Sequence, residues 1–582
     1  MQKFQEIFRN LKILKKEELK KAIHSFSGQK WLIFMSFLIL AVASLFVILN
    51  RINRSFMVET PGIGGSVTEG IIGTPRFINP VLAISDADKD LTALVYSGLM
   101  RKDSQGELIN DLAESYDISK DKLTYTFKLK DKIYFQDKKP VTADDVIFTI
   151  NKIKDPSIKS PKKLNWEGVT ATKIDNKTVQ FTLKQPFNSF LENTAVGILP
   201  YHLWKDVAAD QFSFVDLNIK GIGSGPYKIN QVNKDSSGIP QSYELISFNK
   251  FILGEPFIKD LIIKMYGDED SLLKALENGS VEQASAITAE QAAALKAKNF
   301  NIQTTVLPRI FGLFFNQNQS VVFTDKSVIN AFELAIDKEK IVDSVFKGYG
   351  ISIDSPIPQN IIQDDNQHTT DKDQAKQILN QAGWKAGSDG TLEKTIPAVG
   401  KKGKKQTIRL EFSISTGDSP ELRAVADLIK SDLESLGAKV ELKVFGLGDL
   451  NQNIIRPRKY EALLFGQIVN QEGDLFAFWH SSQRNDPGLN VAMYTNAKVD
   501  KILEDAADTL SKDDRLKKYA QFNDEIKKDK PAIFLYSPSF IYVVAKNLGG
   551  FEMNRVTNPA DRWSEVYKWY KETEKVWKIF IR

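Results

Sequence analysis

The sequence predicts a mixed α/β protein of two or three domains, preceded by one transmembrane helix. The apolar run from Trp31 to Leu49 contains no charged residue. As a helix it would span roughly 28 Å, close to the thickness of the hydrocarbon core of a bilayer. Residues 51–582 are too many for one hydrophobic core. Within them, alternating apolar residues typical of strands are followed by apolar residues at helical spacing.

The charges around the apolar run predict its orientation. Residues 1–30 carry eight Lys or Arg and three Glu, a net charge of +5. This excess predicts a cytoplasmic basic tail over 1–30, an anchor over 31–50 and export of the remaining chain. The alternative is a cleaved signal peptide, because Ala41-Val42-Ala43 resembles a cleavage site. That tripeptide lies inside the apolar run, which favours the uncleaved anchor.

The composition excludes several classes of site. The whole chain is also +5, so the exported part is neutral and is not expected to bind nucleic acid. No cysteine is present, which excludes disulfides, thiolate metal sites and cysteine nucleophiles. The four histidines are too scattered to suggest a metal cluster. We therefore expect no metal and no cofactor. The histidines are His24, His202, His368 and His480.

The first half of the exported part contains two strand patterns and one helix start. Leu123, Tyr125, Phe127 and Leu129 alternate with polar residues, and residues 179–183 repeat the alternation. Between them, Thr142-Ala-Asp-Asp145 predicts a capping box that opens a helix with Val146, Ile150 and Ile153 on one face.

The second half contains a βαβ pattern. Apolar residues alternate from Ile408 to Ile414, follow helical spacing from Leu422 to Leu436, and alternate again from Val440 to Val444. This order predicts two parallel strands joined by a right-handed crossover. Val499, Ile502, Leu503, Ala506 and Leu510 predict a later amphipathic helix, and Lys401–Lys405 predicts a solvated loop.

Catalytic motifs are absent from the sequence. No His-Glu-x-x-His, P-loop or Gly-x-Gly-x-x-Gly pattern occurs. Gly221-Ile-Gly-Ser-Gly225 lacks the spacing of a nucleophile elbow and is followed by Pro226, which predicts a turn. Asp144 and Asp145 are interpreted as helix-start residues. We therefore expect no enzymatic activity, with an extracytoplasmic hydrolase as the alternative.

A series of short motifs runs in order along residues 66–570. The motifs are Gly73-Thr-Pro-Arg-Phe-Ile-Asn-Pro80, Val95-Tyr-Ser-Gly-Leu99, Leu112-Ala-Glu-Ser-Tyr116, Phe135 to Val146, Gly223-Ser-Gly-Pro-Tyr-Lys228, Leu273 to Val281, Ala335-Ile-Asp337, Asp373 to Trp384, Gly488 to Tyr494 and Pro531 to Tyr536. Together they resemble the solute-binding proteins of ABC importers, family 5, which is the oligopeptide-, dipeptide- and nickel-binding group. This chain departs from the family pattern at Lys138, where the family usually has Gly.

The resemblance implies a two-lobed fold similar to type II periplasmic binding proteins, with a third domain inserted in the first lobe. The chain is expected to cross between lobes near Arg309–Phe311 and near Leu535. Pro61, Gly62, Gly64 and Gly65 predict a flexible stalk over 51–65. The organisation implied after it is lobe 1 over 66–95, an inserted domain over 96–185, lobe 1 again over 186–309, lobe 2 over 310–535, and a lobe 1 return with the C-terminal tail over 536–582.

The resemblance also implies a ligand site between the lobes. Peptide-binding relatives hold the ligand main chain against a Gly-Trp-x-x-Asp segment, whose aspartate pairs with the peptide α-ammonium. The matching residues here are Gly466, Gln467, Ile468, Val469 and Asn470. Asn470 keeps a hydrogen bond but lacks the charge of an aspartate. The first lobe is expected to contribute Ile84, Ser85 and Asp86, and the inserted domain Phe148.

The implied function is a membrane-tethered extracytoplasmic receptor, expected to be a monomer, that delivers peptides to the permease and ATPase subunits of an ABC importer. Asn470 and Gln467 leave open the same role for an oligosaccharide or another uncharged solute. A sensor that signals through the helix also stays open.

Overall fold

The computed structural model describes residues 27–185, 190–359, 361–362, 369–396, 406–469, 474–509, 511–577 and 579. Two compact units are present: one comprises Met1–Gly62 with Glu572–Arg582, and the other comprises Ile63–Lys571. The helices are α1 (Gly28–Phe56), α2 (Asp86–Val95), α3 (Ala143–Lys154), α4 (Phe190–Asn193), α5 (Tyr201–Trp204), α6 (Glu269–Glu277), α7 (Ala289–Ala297), α8 (Lys326–Ala335), α9 (Lys338–Phe346), α10 (Lys372–Gln381), α11 (Pro420–Glu434), α12 (Leu447–Asp449), α13 (Asp474–Trp479), α14 (Ala497–Asp508) and α15 (Lys512–Asp529).

The strands of the described residues are β1 (Met57–Gly62), β2 (Gly64–Ile72), β3 (Met100–Lys102), β4 (Leu108–Asn110), β5 (Ala113–Ile118), β6 (Thr124–Leu129), β7 (Val169–Lys173), β8 (Thr178–Leu183), β9 (Tyr227–Lys234), β10 (Pro240–Ser247), β11 (Ile258–Tyr266), β12 (Gln283–Ala284), β13 (Asn301–Val306), β14 (Arg309–Phe315), β15 (Gly350–Ser352), β16 (Lys385–Ala386), β17 (Leu392–Ile396), β18 (Gln406–Arg409), β19 (Glu411–Gly417), β20 (Lys439–Phe445), β21 (Ala462–Ile468), β22 (Ala532–Val544) and β23 (Glu572–Trp577).

The smaller unit contains α1 and a two-stranded sheet. The stretch Gly28–Asn53 of α1 is long and apolar enough to cross a membrane. Residues 51–65 do not form the expected flexible stalk: α1 continues to Phe56, and β1 then pairs antiparallel with β23. The sequence pattern missed this pairing because the partner strand lies at the other end of the chain. Pro61 is tolerated because this two-stranded sheet leaves one edge of each strand unpaired.

The large unit is organised by one mixed sheet that has two halves. The first sheet half contains β2 and β9–β13, and the second sheet half contains β14, β15 and β19–β21. Strand β22 belongs to both halves, because residues 532–536 pair with β14 and residues 539–544 pair with β13. The chain passes from the first half to the second between Val306 and Arg309.

A separate four-stranded antiparallel sheet, in the order β5-β6-β8-β7, lies within residues 113–183. Both predicted alternations are confirmed, since Tyr125, Phe127 and Leu129 of β6 are buried, as are the apolar residues of β8. The predicted helix start is also confirmed. The Asp145 carboxylate accepts hydrogen bonds from the backbone N–H of Thr142 at 2.8 Å and from its hydroxyl at 2.9 Å.

The predicted βαβ unit is confirmed as β19–α11–β20, with β19 and β20 parallel from Glu411↔Lys439 to Gly417↔Phe445. Helix α14 confirms the predicted amphipathic helix, whose last expected residue, Leu510, lies outside the described residues. Lys401–Lys405 also lies outside them.

A buried group of charges joins the C-terminal residues of the large unit to its first strand. The guanidinium of Arg562 donates to Glu69 of β2 at 2.6 and 2.8 Å, and to Asp90 of α2 at 2.6 and 2.7 Å. The Tyr542 hydroxyl donates to Glu69 at 2.6 Å. Burial raises the pKa of Glu69 to about 7 and also raises that of Asp90, while Arg562 opposes both shifts.

Candidate functional site

The residues expected to receive a ligand strand end β21 in the second sheet half. Strand β21 pairs antiparallel with β14 along its whole length, from Ala462↔Phe315 to Ile468↔Arg309. On its other side it pairs with β19 only at Ala462 and Leu463. Within the described chain, the edge from Phe465 to Ile468 therefore has no partner strand.

Alternation along β21 decides which backbone groups this edge presents. The N–H of Val469 donates to the carbonyl of Pro308 at 2.8 Å, and the carbonyl of Leu464 accepts from the Thr416 hydroxyl at 3.1 Å. Residues of even number in this stretch therefore direct their N–H and C=O groups away from β14. Gly466 and Ile468 present these groups at the unpaired edge of β21.

The five expected residues of this segment are thus not equivalent. The Ile468 side chain is 46% exposed, whereas Gln467 and Val469 are buried. Because its N–H is bonded to the carbonyl of Pro308, Val469 cannot offer that donor to a ligand. Asn470 lies outside the described residues.

The expected loop of the first sheet half begins α2. The Ile84 side chain is 62% exposed. The Ser85 hydroxyl caps the helix by accepting the N–H of Asp88 at 3.1 Å, and the Asp88 carboxylate accepts the N–H of Ser85 at 3.1 Å. Asp86 is exposed and lies 3.6 Å from the Lys89 ammonium. All three residues are exposed, but the Ser85 hydroxyl is used as a helix cap.

Arg309 pairs with β21 and is influenced by the charge of Asp86 in this loop. It lies opposite Ile468 at the start of β14, and its Nε is buried without a hydrogen-bond partner in the described part of the chain. Burial lowers the pKa of Arg309, and the Asp86 carboxylate partly offsets that shift. Asp86 of the first half and the β14–β21 pair of the second half therefore approach each other at Arg309.

Two carboxylates, those of Glu269 and Glu421, also interact electrostatically across the crossing between the halves. Burial raises the pKa of Glu269 at the start of α6, and the nearby charge of Glu421 at the start of α11 raises it further. Glu269 belongs to the chain before the crossing at Arg309, and Glu421 belongs to the chain after it. Charged groups that precede the crossing at Arg309 therefore interact electrostatically with charged groups at or after it in two places.

Phe148 has a different environment. It is half-buried on α3, and its ring contacts that of Tyr201 at 5.4 Å between centroids. The Lys152 ammonium lies 5.3 Å from the same ring. These contacts show that the Phe148 ring packs against neighbouring side chains. Its assignment to the ligand site stays a prediction.

Sequence reasoning named Arg309 as a crossing point and missed it as a candidate site residue. In the sequence, Arg309 follows a proline and precedes an apolar strand. This pattern is common in proteins, so it does not mark a binding residue. The unpaired edge of β21 was equally hidden, because strand pairing depends on residues distant in sequence.

Two cavities lie apart from these residues. One of about 330 Å³ is lined by Arg101, Asp111, Trp166 and Trp563 among others, and one of about 420 Å³ lies against Gln136 and β9. Neither lining includes a residue expected to bind the ligand.

One serine–histidine contact bears on the hydrolase alternative. The Ser482 hydroxyl lies 2.8 Å from Nδ1 of His480, but the same nitrogen accepts the backbone N–H of Ser482 at 3.2 Å. The Asp500 carboxylate accepts the N–H of Ser481 at 2.8 Å. His480 therefore caps a short turn, and this geometry does not direct an activated serine at a substrate. No group of three potential metal ligands occurs among the described residues.

Comparisons with known proteins agree with this architecture. Residues 107–488 match the family described as "Bacterial extracellular solute-binding proteins, family 5 Middle". The oligopeptide-binding protein AppA of Bacillus subtilis is 27% identical over 522 residues, which are 88% of this chain and 92% of that protein. The glutathione-binding protein GsiB of Pectobacterium atrosepticum is 26% identical over 84% of this chain and 95% of that protein.

Solved structures extend the similarity to the fold. AppA of Bacillus subtilis in complex with a nonapeptide has a TM-score of 0.63 and 27% identity, over 88% of this chain and 99% of that one. NikZ of Campylobacter jejuni in complex with Ni(L-His) has a TM-score of 0.64 and 28% identity, over 87% and 99%. The two-lobed α/β fold implied by the motifs is thereby confirmed, and the chain belongs to the bacterial extracellular solute-binding proteins of family 5.

Proposed function

We propose that this protein is a membrane-tethered extracytoplasmic receptor that binds peptides between its two lobes and delivers them to an ABC importer. The two sheet halves, with the elements packed on them, form the lobes. Family membership supports the role of solute receptor. Peptides are favoured as the solute because the relative AppA is named for oligopeptides and has been solved with a nonapeptide.

The unpaired edge of β21 carries the peptide assignment. An extended peptide can add to an exposed strand edge through main-chain hydrogen bonds, which do not depend on the peptide's sequence. Gly466 and Ile468 present their backbone groups at this edge, next to the exposed Ile468 side chain. Closure of the lobes over the peptide would exclude water and strengthen these bonds.

The proposed lobe limits are those expected from the sequence, with residues 96–185 inserted in the first lobe. The two passages of the chain between the sheet halves, at 306–309 and within β22 at 536–539, are the proposed hinges. Ligand binding would shift the population toward a closed form that the permease distinguishes from the open one.

The tether is α1, with residues 1–30 in the cytoplasm. The apolar length of Gly28–Asn53 and the basic tail before it support this topology. The helix continues directly into β1, so a signal peptidase would have to cut within a continuous helix. Mass measurement of the protein purified from membranes tests the proposal, since a mature chain that begins near residue 44 would refute the anchor.

Peptide binding is tested by thermal unfolding of the full chain in detergent with defined peptide libraries. A peptide at one hundred times its Kd should add about 2.7 kcal/mol to the free energy of unfolding. Mass spectrometry of the same mixtures would detect cleavage, which would favour the hydrolase alternative. Mass photometry of the full chain tests the expected monomer.

An uncharged solute is the second candidate, motivated by the amide side chain at position 470. If peptides are bound by their α-ammonium, Asn470→Asp should leave their affinity unchanged or improve it. If the solute is uncharged, the added carboxylate should weaken binding. Stabilisation by an oligosaccharide library, with none by peptides, would overturn the peptide assignment.

A further inference from the structure

Arg309 carries a positive charge that is partly buried. No carboxylate of the described residues lies within 4.0 Å of it, whereas the fully buried Arg562 contacts two. The Nε of Arg309 is buried and has no hydrogen-bond partner there. Buried donors in folded proteins are nearly always bonded, so this guanidinium is expected to have a partner that the described residues do not supply.

The register of β14 decides where the Arg309 side chain lies. Directly opposed residues of antiparallel strands share a face, so Arg309 is on the same face as the exposed Ile468. Phe311, two residues on, also lies on this face and stacks on Tyr536 at 4.8 Å. Ile310 faces the opposite side and is buried in the core. The cation is therefore on the face that carries the Ile468 side chain, one strand away from the unpaired edge of β21.

Asp86 precedes the crossing between the sheet halves and acts electrostatically on Arg309, but the two form no ion pair within 4.0 Å, and Asp86 instead pairs with Lys89. A ligand carboxylate that binds at Arg309 can supply a direct counter-ion. The sequence also lacks an acidic residue at position 470, two residues beyond Ile468.

We propose that Arg309 binds a carboxylate of the ligand, so that the receptor selects peptides by a negative charge placed beside Ile468. A guanidinium matches the planar carboxylate with paired hydrogen bonds. The carboxylate can be the peptide's C-terminus or the side chain of an Asp or Glu. This inference rests on the proposed peptide function and deepens it by naming the group that the site recognises.

The test uses full-length protein in detergent and four libraries of random pentapeptides. Two libraries have a free C-terminus and two are C-terminally amidated, and one of each pair lacks Asp and Glu. Retained peptides are quantified by mass spectrometry for the wild type, Arg309→Gln and Arg309→Lys. Arg456→Gln, which removes an exposed arginine of the second sheet half, is the matched control.

The wild type and Arg456→Gln should retain carboxylate-bearing peptides about tenfold or more over the amidated library without Asp and Glu. Arg309→Gln should lose this preference while still retaining neutral peptides, and Arg309→Lys should keep part of it. Retention from the free C-terminus library without Asp and Glu would identify the C-terminal carboxylate as the group bound. Retention from the amidated library that contains Asp and Glu would identify a side-chain carboxylate. An unchanged preference in Arg309→Gln would overturn the inference and leave the peptide function intact. Failure of the wild type to retain any peptide would instead refute the peptide function, and this inference with it.

Discussion

The ring of Phe311 fills the space that a side chain at position 466 would need. A Cβ built on Gly466 would lie 2.6 Å from the Phe311 ring, closer than carbon atoms approach in folded proteins. Phe311 in turn stacks on Tyr536 at 4.8 Å with an interplanar angle of 4°. Gly466 is thus required by packing within the second sheet half, while strand alternation places its backbone groups at the unpaired edge of β21.

Gly466→Ala should destabilise the protein by about 1–3 kcal/mol, because the new methyl group must displace the Phe311 ring. Thermal unfolding of the full chain measures the effect. Gly448→Ala is the matched control, since nothing lies within 4 Å of a Cβ at that position. Equal unfolding temperatures for both variants would show that the ring moves without cost.

Ile468→Pro should abolish peptide binding while leaving the fold intact. Proline removes the N–H that Ile468 presents at the unpaired edge, where no bond within the sheet is lost. Ile468→Val keeps this N–H and should bind peptides like the wild type. The rise in unfolding temperature caused by peptide is measured for the wild type, Ile468→Pro and Ile468→Val. Wild-type stabilisation of Ile468→Pro would mean that the ligand does not pair with β21.

Lys138→Gly should stabilise the protein. Lys138 has a φ of 73°, in the left-handed region that costs a residue with a Cβ roughly 1–2 kcal/mol. Glycine avoids most of this cost but loses more backbone entropy on folding, so we expect a net gain of about 0.5–1 kcal/mol. Lys139→Gly, one position on and outside the left-handed region, should destabilise or have no effect. A loss of stability in Lys138→Gly would contradict this account, as measured by chemical denaturation.

The buried carboxyl of Glu69 should make stability fall with rising pH. Its pKa is raised from 4.5 to about 7, so the folded state binds its proton more tightly than the unfolded state does. The stabilisation is complete below about pH 4.5 and is lost as pH rises through about 7. Glu69→Gln removes the titrating group and keeps an oxygen that accepts from Arg562. The stability of the wild type relative to Glu69→Gln should therefore decline between pH 5 and 8, and parallel curves would refute the assignment.

Local patterns predicted the elements whose formation depends on neighbours in sequence. The alternation of β6 and β8, the Asp145 cap of α3 and the β19–α11–β20 unit follow from spacings of two and 3.6 residues. The same reasoning failed at residues 51–65. Nothing near Pro61 indicates a strand, because its partner begins at Glu572.

The candidate site was predicted less completely than the fold. The motif match located β21 and the loop at Ile84, yet it could not show that Val469 bonds to Pro308 or that Ser85 caps α2. It gave no reason to select Arg309. These differences arise because a motif records residue types, whereas availability for a ligand depends on which hydrogen bonds the fold has already used.

The sequence alone determined the neutral net charge of residues 51–582, the apolar stretch before them and the family to which the chain belongs. Each of these depends on composition or on short spacings, which survive without three-dimensional contacts. Tertiary structure decided that Phe311 requires a glycine opposite it. Among the described residues, it also left part of one edge of β21 unpaired and the Arg309 Nε buried without a hydrogen-bond partner. Strand pairing, side-chain packing and burial involve residues hundreds of positions apart. These contacts therefore form only when the chain folds.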